Sequence, residues 1–190
     1  MQGEVMVNEL KGMRALLQRW DEEDVGDDRI YPVFRGRRGH VNIDGSPDGP
    51  SVTFTPGQPQ FEEALEPGVR DLVLTLVALG GVTYSSCEGH PGDGPGTTFS
   101  GRHVGLLPRG PEQERQLSEL ISSVLSGLDH SPTVVVELRK EQLRDAEDIL
   151  YSLDLCFRPT TDDWARYSRA LEPAYEAVLD GLRQQLGLLR

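Results

Sequence analysis

The chain has 190 residues, 37% of them hydrophobic and 26% charged, the balance expected of a soluble globular protein that can bury one core. A formal net charge of −12 sets it against nucleic acid, whose phosphates the summed field would repel, and no apolar run nears the roughly 20 residues of a membrane span. The N-terminal segment lacks the basic and then apolar regions of a signal peptide, and Cys87 and Cys156 make no disulfide framework, so a cytoplasmic location with free thiols is expected.

Residues 4–20 place Val7, Leu10, Met13, Leu16, Leu17 and Trp20 at helical spacing, and the acidic run from Asp21 to Asp28 closes that helix as a solvated linker. The expected division is 1–28 as N-terminal helix and linker, and 29–190 as a single domain. Ile30–Phe34, His40–Ile43 and Val52–Phe54 read as short extended pieces between glycine and proline turns. Pro67 suits the first turn of a helix to about Leu79, with Val69, Leu72, Val73, Leu76 and Leu79 on a buried stripe, and Gly80-Gly81 ends it. Strands are predicted at Val82–Ser86 and Arg102–Leu107, on either side of a glycine-rich loop.

Pro111 starts a helix whose Leu117, Leu120, Ile121, Val124, Leu125 and Leu128 give the cleanest amphipathic pattern in the chain. Thr133–Leu138, with consecutive valines inside, reads as a buried strand. Glu141–Leu153 is predicted as another helix and Leu155–Arg158 as a short strand. From Asp162 to about Leu188 the chain is helical again, with Thr161 as N-cap and a kink or a division into two helices at Pro173. The fold expected is α+β: a mixed or antiparallel sheet with helices packed mainly on one face, plus N- and C-terminal helices.

Chemistry concentrates between Gly81 and Pro108. Cys87, Glu88 and His90 fall at a strand end, and His103 begins the next strand. The Cys-x-x-His spacing lets a thiolate and an imidazole reach one ion from a tight turn, and His103 would supply a third ligand. Zinc is the cofactor such ligands suit, with an open position for water. In this reading Cys87, His90 and His103 hold the metal and Glu88 serves as acid/base, with Cys87 also part of the catalytic machinery. Ser86 and Arg102 bind the substrate, Arg102 through an anionic group.

The same turn supports other readings. Cys87 could be a thiol nucleophile activated by an imidazole, with backbone N–H groups of the turn as an oxyanion hole. Alternatively Ser85, Ser86, Glu88 and His90, with Gly92-Asp-Gly-Pro-Gly96, could envelop a small polar ligand without covalent chemistry. It is not a phosphate loop, because the Gly-Lys-Ser/Thr ending is missing. The blandest reading has Cys87 packing as a small hydrophobe. Elsewhere Cys156 reads as core and His130 as a surface turn. His40 reads first as a polar strand residue and second as a contributor to the site.

The run Val82-Thr-Tyr-Ser-Ser-Cys-Glu-Gly-His90 resembles uncharacterised bacterial and phage proteins with a Ser-Cys-Glu/Gln-Gly-His motif, a resemblance that implies no particular activity. More distantly, Thr83 to Gly89 is similar to the Thr-Ser-Ser-Cys-Ser-Gly-Arg motif of the methyltransferase of tRNA wybutosine synthesis. Here Glu88 stands for a serine and His90 for the arginine, and the acidic charge opposes tRNA, so that activity is not carried over.

The function expected is therefore a small enzyme acting on a small polar substrate at the Cys-Glu-Gly-His turn, metal-assisted. The alternatives are a non-catalytic ligand-binding or protein-interaction module, or a thiol-nucleophile enzyme using Cys87. The expected partners are a small-molecule ligand and a second copy through the terminal helices, with neither a membrane nor nucleic acid among them.

Overall fold

Leu72, Leu76, Val104, Leu106, Leu155 and Phe157 are closed off from solvent, and they come from one helix, whose apolar stripe is expected to be buried, and two strands. The computed structural model describes residues 8–11, 13–22, 33–35, 54–92, 99–129, 131–145 and 148–188. The expected extended piece His40–Ile43, His130 and most of the glycine-rich loop lie outside these. The chain folds as two compact units, Met1–Leu65 with Lys140–Ser152, and Glu66–Arg139 with Leu153–Arg190.

The first unit holds β1 (Asn8–Lys11), α1 (Met13–Arg19), β2 (Val33–Arg35) and parts of two long strands, β5 (Val134–Asp145) and β6 (Asp148–Pro159). The helix expected over residues 4–20 starts only at Met13, because Asn8–Lys11 is paired: Leu10 lies opposite Phe34 in an antiparallel ladder, and Asn8 opposite Leu143 in a parallel one. Met13, Leu16 and Trp20 keep their expected burial, with Trp20 edge-on to Phe61 at 5.8 Å. The helix predicted over Glu141–Leu153 is instead strand. Lys140 Nζ lies 4.5 Å from the Tyr151 ring centroid, whereas eleven residues of helix would separate the two by about 16 Å. The segment is rich in helix formers, and strand pairing overrides that propensity: Leu143 and Leu153 are buried while Ile149 and Tyr151 face out.

The second unit contains α2 (Pro67–Ala78), β3 (Thr83–Cys87), β4 (Arg102–Leu106), α3 (Pro111–Ser126), parts of β5 and β6, and α4 (Trp164–Leu188). Its strands run in the order β5-β6-β4-β3 and form an antiparallel sheet. Helices α2, α3 and α4 bury Val69, Val73, Leu117, Ile121, Leu171, Val178 and Leu182. The glycine stop at the end of α2 forms as expected. Gly80 adopts φ +89°, open to glycine without strain, and Gly81 N–H returns to the Leu76 carbonyl at 2.9 Å.

Two details of α4 differ from expectation. The cap is Asp163, which accepts the Arg166 N–H at 3.1 Å, while Thr161 accepts the Asp163 N–H before the helix begins. The helix also continues through Pro173, with Leu171, Tyr175 and Val178 buried on both sides of the ring. The apolar burial on either side offsets the hydrogen bond that proline removes.

Candidate metal centre

Three local rules bring one glutamate, one cysteine and one histidine together. Pro67 excludes the helical conformation for the residue before it, so Glu66 is extended at φ −60° and ψ 137°, and its side chain does not cap its own helix. Strand β3 ends at Cys87, and Gly89 at φ +87° reverses the chain. A Cβ there would meet Arg102 N and Ser100 O at 3.1 Å, so any other residue is strained and crowded. The base of the following loop is closed by His90 N–H to Ser100 Oγ at 3.0 Å and Ser100 N–H to the His90 carbonyl at 3.1 Å.

Glu66, Cys87 and His90 thereby present one carboxylate oxygen, Sγ and a ring nitrogen within 4.8 Å of one another, a group that could hold a metal ion. His90 Nε2 lies 2.7 Å from Glu66 Oε1. Two ligands of a tetrahedral ion at about 2.0 Å each stand about 3.3 Å apart, so an ion would part this pair by roughly half an ångström. The rest of the cluster is built to orient ligands. The other Glu66 oxygen accepts the Glu88 N–H at 2.7 Å, and Cys87 Sγ accepts the Gly89 N–H at 3.4 Å.

The electrostatics also favour a cation. Burial pushes the Cys87 thiol above its ordinary range, and the Glu66 and Glu88 carboxylates push it further, against the opposing pull of Gly89 N–H and Ser100. Without a cation, Cys87 is a protonated thiol at neutral pH, the opposite of what a free nucleophile requires. A positive ion would reverse that balance.

Cys87 and His90 are in the cluster. His103 is opposite Cys87 in the β3–β4 ladder, but its Nε2 is 3.1 Å from Ser85 Oγ and it is outside the cluster. Ser86 is opposite Val104, on the alternate row of the same strand. Glu88 turns its carboxylate to Gly68 N–H at 2.8 Å, closing the N-terminus of α2 that Glu66 leaves open. Arg102, expected to bind an anionic substrate, is buried with its guanidinium 2.7 Å from Glu172 Oε1 and 4.5 Å from the Tyr175 ring centroid. Cys156, expected in the core, is only half-buried and is opposite His103 on its second side. His40 lies outside the described residues.

Sequence reasoning missed Glu66. It stands 21 positions before Cys87 (87 − 66), beyond any local motif. The one signal was an acidic residue immediately before a helix-starting proline, in a chain with many acidic residues. No family model, curated protein or solved structure matches this chain.

Proposed function

We propose that the second unit carries a mononuclear zinc centre ligated by Glu66, Cys87 and His90, and that the protein is a small metal-assisted enzyme acting on a small polar substrate. The observation that carries this reading is the convergence of a carboxylate, a thiol and an imidazole within 4.8 Å at the end of β3. One sulfur, one nitrogen and one oxygen donor suit zinc, and three protein ligands leave a fourth position open, as in catalytic rather than structural sites. A zinc ion held there would supply Lewis acidity and bring the pKa of a coordinated water to about 7. The chain's own part is to fix the ligands: Glu88 N–H orients Glu66, Gly89 N–H supports the Cys87 sulfur, and Ser100 anchors the His90 main chain.

The raised Cys87 pKa disfavours the thiol-nucleophile alternative and is compatible with a ligand that gives up its proton on metal binding. The test is metal analysis of protein made with zinc supplied, beside Glu66→Gln, Cys87→Ser and His90→Ala. About one zinc per chain in the parent and a marked loss in each variant is the expected result. Less than about 0.2 zinc per parent chain would sink the proposal, since a three-ligand site should fill.

A further inference from the structure

We infer that Arg102 is a positioning residue for the metal centre, acting from a buried site through the Glu88 carbonyl on the placement of Cys87 and His90. The inference rests on the reading of Glu66, Cys87 and His90 as ligands. Glu88 lies in the chain between two of them, and both of its main-chain groups are held. Its N–H is given to the Glu66 carboxylate, and its carbonyl accepts Arg102 Nε–H at 3.0 Å. The Cys87–Glu88 and Glu88–Gly89 peptide planes, which connect the cysteine to the glycine turn leading to His90, are therefore each held by a hydrogen bond.

Arg102 is itself held on every side. Its side chain is 6% exposed, and its NH2 group donates to Glu172 Oε1 at 2.7 Å, while the Glu172 side chain is 60% exposed. The guanidinium stacks over Tyr175, whose hydroxyl accepts the Leu72 N–H of α2 at 3.2 Å. The Arg102 main-chain N–H donates to Tyr167 Oη at 3.0 Å, and that hydroxyl donates to the Phe157 carbonyl at 2.7 Å. A buried cation paired with a carboxylate is a costly way to hold strand β4 to helix α4, whereas a planar fork that donates in two directions serves two elements at once. One direction is Glu172 on α4 and the other is the ligand-bearing turn. Lysine keeps the charge but cannot reach both.

The experiment uses the full chain and titrates Zn(II) and Co(II) against a chromophoric chelator. The Co(II) absorption spectrum reports ligand geometry, and melts of the metal-free protein report folding. Arg102→Lys is expected to melt cooperatively yet bind either ion about 10–100-fold more weakly, with shifted Co(II) bands. Glu172→Gln, which alters an exposed carboxylate, is expected to weaken binding at least about threefold in the same direction. A folded Arg102→Lys chain with parental affinity and a superimposable Co(II) spectrum overturns the inference. If Arg102→Lys does not fold, Glu172→Gln decides alone: a loss of less than about threefold overturns the inference and a larger one supports it. A parent chain that takes up neither ion overturns the metal reading itself, whereas equal affinity in all three chains overturns only the role of Arg102.

Discussion

His103 faces Cys87 across the β3–β4 ladder, yet its Nε2 is engaged with Ser85 Oγ at 3.1 Å, two residues back along the same strand as the cysteine. Opposite neighbours in an antiparallel pair share a face of the sheet, so nearness to Cys87 follows from register alone and does not make His103 a ligand. His103→Ala is therefore expected to retain zinc at about one per chain, where His90→Ala loses it. Metal content of the two purified variants checks this, and loss in His103→Ala would restore the ligand set expected from spacing alone.

Cys87 should behave as a reluctant thiolate. Its deprotonated form is disfavoured by burial and by the Glu66 and Glu88 carboxylates, so its pKa is raised and the reactive species appears only at alkaline pH. Alkylation of metal-free protein, followed at the Cys87 peptide to separate it from Cys156, should accelerate with pH and inflect above the ordinary thiol value of about 8.5. An inflection at or below that value contradicts the electrostatics described. Zinc should protect the sulfur at every pH where it binds.

Glu88 offers a sharp test of what its carboxylate does. The amide oxygen of glutamine can still accept the Gly68 N–H, and the main-chain bonds to Glu66 and Arg102 do not depend on the side chain. Glu88→Gln should therefore keep parental zinc content and lose no more than about 1 kcal/mol of stability, while Glu88→Ala leaves the start of α2 without that acceptor. Thermal melts with metal analysis distinguish the two; a metal-free Glu88→Gln chain would mean that the negative charge itself is needed.

Gly89→Ala should be costly for two separate reasons. The residue sits at φ +87°, which costs an L side chain about 1–2 kcal/mol, and the new methyl would meet Arg102 N and Ser100 O at 3.1 Å. A combined loss of about 2–3 kcal/mol and a lower melting temperature are expected, together with weaker metal binding, because the turn that aims His90 must shift. An unchanged melting temperature would show that the turn relaxes more freely than its contacts allow.

Much of the second unit was legible in the sequence. Pro67 and Gly80-Gly81 bracket α2 and Pro111 opens α3; the α2 stripe is buried at Val69, Leu72, Val73 and Leu76, whereas the α3 stripe is buried only at Leu117 and Ile121 and half-buried over the rest. These signals are local, since capping and periodicity act within a turn or two. Over Glu141–Leu153 the local, helix-favouring composition predicts a helix, while the strand pairing of β5 and β6 that decides the outcome is not local. The same distinction governs the site. Cys87 and His90 were visible as neighbours in sequence, but Glu66 enters only because α2 and β3 place their ends together, and His103 is kept out by a hydrogen bond that spacing cannot reveal.

Strand β3 has a further consequence. It is the last strand in its sheet, and among the described residues no strand pairs with its outer side. Such an edge is a template on which another chain can add, and short, irregular edges resist that addition. Here the register is broken between Thr83 and Ser85, and five residues after it begins the strand gives way to the glycine turn. The glycine turn that shapes the cluster therefore also shortens the free edge, and with the register break it guards the same strand against aggregation.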